Sequence, residues 1–300
     1  MKSREYYFTQ AISHFVCLFV TLCALLPFLL LIIGSFTDNA WATQNGFSFF
    51  PQKWSMEAYR YIQTKWNTIG RGYLMTFIVT GTGTAISLIL SSLYAYGISQ
   101  KDVPGMKLVS FLLIFTMLFN GGLVSTYYSY INFFHIKDTV WALIVPNFLM
   151  NAFNVILVRN YFTNTISPSL REAAMIDGAG EFRIFASIII PLSKPILATV
   201  GLLTALNYWN DWTNGLYFLS KRGGGHLYTI QNILNDINEN IQALLQNSSD
   251  ASKIGASVTD LPSTTVRMAI AVVGIVPIVV LYPFFQRYFV KGITLGGVKE

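Results

Sequence analysis

Six apolar runs, each long enough to cross a lipid bilayer, constrain this chain more than any other feature. A bilayer's hydrocarbon core is roughly 30 Å thick, which about 20 helical residues span. The runs fall at about 11–33, 73–98, 108–128, 140–158, 195–219 and 265–289, the fourth being interrupted by Pro146, Asn147, Asn151 and Asn154. In lipid every backbone N–H and C=O must be satisfied internally, so runs of this length form helices. The expected fold class is an all-α integral membrane protein with six transmembrane helices. Composition agrees. Only 11% of the residues are charged, against about 25% in soluble domains. The mean hydropathy is +0.49. The net charge of +6 is spread between the apolar runs instead of gathered in one stripe. Basic loops flanking membrane helices account for it, and nucleic-acid binding is not indicated.

The first run follows Lys2 and Arg4, as a signal peptide would. Its apolar core is too long for one, and no small-residue cleavage site follows, so a retained helix is expected. Six spans place both termini on one side of the membrane. That side also holds the loops at 99–107 and 159–194 and is the richer in Lys and Arg, which assigns it to the cytoplasm of a cell membrane. The expected organisation is a cytoplasmic N-terminus (1–10), a permease-like membrane domain (11–290) and a cytoplasmic tail (291–300). Residues 35–71 and 220–264 form external loops. The apolar periodicity of 227–245 marks a helix in the second of these.

Within the spans, Gly81-Thr82-Gly83-Thr84 offers a small-residue surface for close helix packing. Asn120-Gly121-Gly122 and Pro283 are candidate breaks or kinks. Cys17, Cys23 and the three histidines (His14, His135 and His226) form no ligand or disulfide pattern. No metal site, paired carboxylates or nucleophile–base set stands out, and no enzyme activity is expected. Mid-membrane Lys, Arg and Glu, the mark of an ion-driven carrier, are absent from the centres of the runs.

The most informative polar stretch is 167–191. Ser167 followed by Pro168 is helix-start chemistry, and Ser169 with Glu172 is an alternative capping box. Glu172-Ala173-Ala174-Met175 favour helix. Asp177-Gly178-Ala179-Gly180 then break it, and a second short helix runs to Pro191. Local chemistry leaves two readings open: a plug for a groove on a partner, or an amphipathic pair lying on the membrane surface.

These residues carry a family resemblance. Glu172-Ala173-Ala174, three residues, Gly178, nine residues, then Ile188-Ile189-Ile190-Pro191 resembles the EAA loop of ABC importer permeases, with Ile190 where Leu is usual. Four further segments resemble the carbohydrate (maltose-type) branch and its shorter MalG/LplC-type subunit. They are Phe49-Phe50-Pro51 with Trp54 to Tyr59, Lys101 to Gly105, Tyr208 to Trp212, and Tyr288 to Gly292. The resemblance implies binding-protein-dependent import of carbohydrate, with oligosaccharide the expected cargo; a non-sugar solute or an ion-driven carrier is the alternative. It implies coupling to an ATPase through Glu172, Ala173, Ala174, Asp177, Gly178, Ala179, Phe182, Arg183, Ile188 and Pro191. The implied partners are a second, different permease subunit, two copies of a cytoplasmic ATPase and an external solute-binding protein. ATP and Mg would be bound by the ATPase, since this chain carries no G-x-x-x-x-G-K-[ST] phosphate loop. Asn207, Tyr208, Asn210, Asp211 and Trp212 pair amide and carboxylate groups with flat aromatic faces. They are candidates for the substrate path.

Overall fold

The computed structural model describes residues 4–100, 103–247 and 263–297. Lys101-Asp102, the 248–262 part of the second expected external loop, and both extreme ends lie outside the described residues. Among the described residues the structure is helical, with one isolated bridge between Thr37 and Trp54. The chain packs as two compact units, one formed by Met1–Ile69 with Leu234–Ile278, the other by Gly70–Ile233 with Val279–Glu300.

In the first unit, α1 (Arg4–Ser35) is apolar on all sides. Its side chains from Glu5 to Leu29, Phe15 and Phe19 among them, stay exposed, as suits a helix solvated by lipid. The chain then folds back through α2 (Asn39–Asn45) and α3 (Glu57–Thr64). The Asp38 carboxylate caps α2 by accepting from the Trp41 N–H at 2.9 Å. The Tyr59 ring stacks on Phe36, and its hydroxyl meets Ser35 Oγ at 2.8 Å. Asn39 Oδ1 accepts from the N–H groups of Thr264 (3.1 Å) and Thr265 (3.4 Å). That side chain thereby satisfies orphan donors at the start of the last helix, Ser263–Gly297. This helix continues through Pro283.

The second unit is dominated by α4 (Trp66–Ser99), which begins in the first. The remaining expected spans are broken. The third is α5 (Met106–Leu118) and α6 (Gly122–Asn132), bent by 119°. The bend falls at the expected Asn120-Gly121-Gly122. Gly122 has φ +78°, and its N–H bonds the Asn120 side chain. The fourth, expected at 140–158 with Pro146, Asn147, Asn151 and Asn154 interrupting it, is not one continuous helix. One short turn, α7 (Trp141–Ile144), is followed by irregular backbone and then α8 (Ala152–Thr165). Pro146 has no N–H to donate, Asn147 adopts φ +68°, and the Asn151 side chain caps α8. α9 (Pro168–Ile176) and α10 (Glu181–Leu192) follow. The fifth span differs from expectation. α11 (Lys194–Asn210) stops at extended Asp211, and α12 (Thr213–Phe218) restarts. Asp211 Oδ1 caps that restart, accepting from Thr213 N at 3.0 Å and Asn214 N at 3.3 Å. α13 (Ile230–Asn247) is the helix expected in the second external loop.

Irregular backbone among apolar helices needs donors and acceptors from elsewhere. Tyr208 Oη donates to the Ile144 carbonyl at 2.7 Å, and Asn214 Nδ2 to Pro146 at 3.2 Å. Ser87 Oγ donates to Phe148 at 3.2 Å. The second break is served in the same way. Asn232 Nδ2 donates to the Trp212 carbonyl at 2.6 Å, and Thr229 Oγ1 to Asp211 at 3.5 Å.

The Gly81–Thr84 surface is used at one point. A Cβ on Gly83 would lie 2.6–2.9 Å from the Tyr208 ring, whereas Gly81 has open space. Gly83→Ala should therefore overpack the core by about 1–3 kcal/mol. Tyr208→Phe should cost about 1–3 kcal/mol by leaving the buried Ile144 carbonyl without this donor. Melting of the purified chain in detergent checks both. The double variant Gly83→Ala/Tyr208→Leu should melt above the sum of its singles, because the smaller side chain makes room for the new methyl.

Candidate functional site

The 167–191 stretch folds as two helices around a glycine bend. Ser167 occupies the N-cap of α9 with Pro168 at the first helical position. The Ser167 hydroxyl bonds Ser169 Oγ at 2.8 Å and makes no capping bond to the helix backbone. The first of the two expected starts is thus the one adopted. α9 ends in a Schellman motif. The Gly178 N–H returns to the Met175 carbonyl at 3.0 Å, and the Ala179 N–H returns to Ala174 at 2.9 Å. That geometry places Gly178 at φ +79°, a left-handed position where a Cβ is costly. α10 then carries a π turn over Phe185–Ile189, which the sequence pattern did not indicate.

The two faces of this bend differ sharply. Ala174, Ile184, Phe185 and Ile189 are buried in a core they share with Ala95 and Ile98 of α4, Val155, Val158 and Phe162 of α8, and Val200 of α11. Ala179 and Ile188 pack against that core in part. The opposite face is exposed. It presents Glu172, Ala173, Asp177, Gly178, Arg183 and Pro191. Beside them Ile176 is 87% exposed, Phe182 77% and Met175 50%. Of the ten expected coupling residues, Ala174, Ala179 and Ile188 therefore hold the bend onto the protein, and the other seven face outward. Ile176 and Met175 complete the exposed apolar cap and were not singled out in the sequence. Their place beside a glycine-bent helix end was the available signal.

Arg171 and Glu181 were also missed. Arg171 Nη2 donates to Glu181 Oε1 at 2.7 Å across the bend. The Tyr96 hydroxyl of α4 donates to Glu181 Oε2 in a short contact. The bond from Arg171, then the one from Tyr96, hold the Glu181 carboxyl below its usual range. The Arg171 guanidinium is pushed further up, chiefly by its bond to Glu181. The residues stand ten apart in sequence, and nothing but the glycine bend brings them together.

The candidate substrate-path residues separate into two groups. Tyr208 is 1% exposed and serves the Ile144 carbonyl, while Asp211 is buried and caps α12. Asn207 and Asn210 are exposed along α11, and Trp212 is 41% exposed at its end. Among the described residues no His, Cys, Asp and Glu cluster could hold a metal ion.

Long apolar helices, broken spans stitched by polar side chains, and a projecting bent loop with an apolar cap define a membrane component of an ABC importer. The chain belongs to the family described as "Binding-protein-dependent transport system inner membrane component", whose model matches residues 4–295. It is 36% identical over 299 residues to the polygalacturonan/rhamnogalacturonan transport system permease protein YtcP of Bacillus subtilis (strain 168), covering 100% of both chains. It is 34% identical to Protein LplC of the same organism, covering 92% of this chain and 89% of that one. Among solved structures, one chain of a bacterial ABC transporter involved in the import of the acidic polysaccharide alginate superposes with a TM-score of 0.75 at 31% identity. The match covers 96% of this chain and 99% of that one.

The Schellman geometry makes its own prediction. Gly178→Ala should strain the bend by about 1–2 kcal/mol, whereas Gly178→Asn, which tolerates left-handed backbone, should cost less. Hydrogen exchange at the Gly178 and Ala179 amides should quicken about ten-fold in the alanine variant. Equal exchange in the two variants would contradict it.

Proposed function

We propose that the chain is a carbohydrate importer's permease subunit that docks onto a cytoplasmic ATPase through the exposed face of the α9–α10 bend. The observation that carries this is the cap of Ile176, Phe182 and Met175, apolar side chains that the chain itself leaves uncovered at the outer edge of an EAA-type loop. Exposed apolar groups rimmed by Glu172, Asp177 and Arg183 are the composition of a partner surface. The cargo class is supported by relatives whose names describe permeases for polygalacturonan/rhamnogalacturonan and arabinooligosaccharides.

In this proposal both termini and the 159–194 segment are cytoplasmic, and 35–71 and 220–264 are external. The membrane domain spans 11–290. The subunit is itself non-catalytic and forms half of a pore with a second, different permease. Two copies of the ATPase bind ATP and Mg below, and an external solute-binding protein delivers the sugar. Asn207, Asn210 and Trp212 are the exposed side chains of the fifth span that can meet cargo, Asn210 while its Nδ2 donates to the Leu206 carbonyl at 2.9 Å. Tyr208 and Asp211 set their frame. ATP-driven closure of the ATPase moves the bend, and packed helices carry that motion as rigid bodies to open and close the path.

The test uses the assembled complex in liposomes. Ile176→Asp and Phe182→Asp alter fully solvated positions, so the chain itself should keep its stability within about 0.5 kcal/mol. Both should nonetheless strip the co-purifying ATPase and abolish uptake. Full retention of the ATPase with both substitutions present would reject the docking face.

A further inference from the structure

The two arms of the bend are joined by Asp177–Gly180, a turn with glycine at 178 and 180. A push on α9 would spend itself in flexing such a turn. α9 has one buried side chain, Ala174, to hold it against the body. One connection bypasses the turn. Arg171 on α9 reaches Glu181 on α10, and the second oxygen of the same carboxylate takes the Tyr96 hydroxyl on α4. The Tyr96 ring is itself wedged between Phe185 of α10, at 5.1 Å, and Phe162 of α8, at 6.5 Å.

We infer that Tyr96 and Glu181 are positioning residues for transport. Together with Arg171 they form a strut that triangulates the bend and transfers movement of α9 to the long helix α4. The inference rests on the docking role of the bend and adds the route by which force leaves it. Three features support the strut. It closes a triangle across a glycine turn that is otherwise compliant. It uses both oxygens of one carboxylate, and Arg171 and Tyr96 also interact directly, so each of the three side chains is tied to the other two. It also lies near the surface, with the Arg171 side chain 25% and the Glu181 side chain 50% exposed. Ion pairs of that exposure contribute little to global stability. A role in holding the fold would have called for a buried pair, whereas one in transmitting movement needs only direction and stiffness.

Coupling can therefore be separated from folding. In the assembled complex in liposomes, Tyr96→Phe keeps the ring packing and removes the hydroxyl. The expected result is unchanged co-purification of the ATPase, ATP hydrolysis that persists, and a roughly five-fold drop in sugar moved per ATP hydrolysed. Glu181→Gln should fall in the same way, and Arg171→Lys, which keeps the charge, should recover most of the ratio. Tyr94→Phe is the control. Its hydroxyl, two residues away on α4, bonds the Val109 carbonyl of α5 at 3.2 Å, outside the strut, and it should leave the ratio unchanged. A Tyr96→Phe ratio within two-fold of wild type overturns the inference. So does loss of the ATPase from that variant, which would make Tyr96 part of the docking face. Failure of the docking reading looks different, since there the ATPase stays bound after Ile176→Asp whatever Tyr96→Phe does.

Discussion

The hydrogen bonds that side chains make to the backbone of broken helices govern this structure. A carbonyl left unpaired in an apolar surround costs several kcal/mol, and the bilayer interior offers no water to relieve it. Residues 145–151 leave the helix, and the carbonyls of Ile144, Pro146 and Phe148 are met by Tyr208, Asn214 and Ser87. Residues 211–212 leave it too, and their carbonyls are met by Thr229 and Asn232. Each break therefore depends on side chains from another segment. The donors Tyr208 and Asn214 flank the second break while serving the first, so neither irregular stretch is stable alone. Gly83 is part of the same arrangement, because the Tyr208 hydroxyl reaches Ile144 only with its ring pressed against a residue that has no Cβ.

That interlocking fixes the exposed polar face of α11. Asp211 is consumed in capping α12, and Tyr208 in serving a carbonyl, which leaves Asn207, Asn210 and Trp212 outward. Polar residues in one helix are thus divided by whether they serve a helix break, not by residue type; Asn210 Nδ2 instead bonds the Leu206 carbonyl of its own helix at 2.9 Å. The division decides which of them could meet a solute. At the other end of the same unit the duties run differently. There an apolar core under Ala174, Ile184 and Phe185 holds the bend, and polar contacts join its arms.

Much of this was legible in the chain. The apolar runs gave the helical membrane class, Gly178 gave the bend, and Asn120-Gly121-Gly122 gave the break between α5 and α6. The EAA-type spacing marked the stretch that folds as the α9–α10 bend. The fourth span carried its signal in Pro146, Asn147, Asn151 and Asn154, which interrupt the apolar run, whereas the break in the fifth was not legible as such. Hydropathy averages over a window, and a few non-helical residues barely change it. Asn151 and Asp211 are helix caps, yet the same residues inside an apolar run look equally like polar groups facing a cavity. The strut was illegible for another reason. Arg171, Glu181 and Tyr96 belong to three elements, and only the turn at Asp177–Gly180 and the seating of Phe185 bring them together.

The π turn at Phe185–Ile189 belongs to the same logic. One extra residue in the turn shifts the register of every side chain beyond it. Here it lies between Glu181, which must face Arg171 and Tyr96, and Ile189, which must face the core. A regular helix places residues eight apart on faces differing by about 80°, so the wider turn adjusts the angle between those two demands. Pro191 reinforces the local departure, because it cannot donate to the carbonyl four residues back. The bend, with its exposed apolar cap on one face and the helical core on the other, is thereby set by two local irregularities, a left-handed glycine and a widened turn. Both are backbone features whose geometry depends little on ionic strength or on the solvent around them.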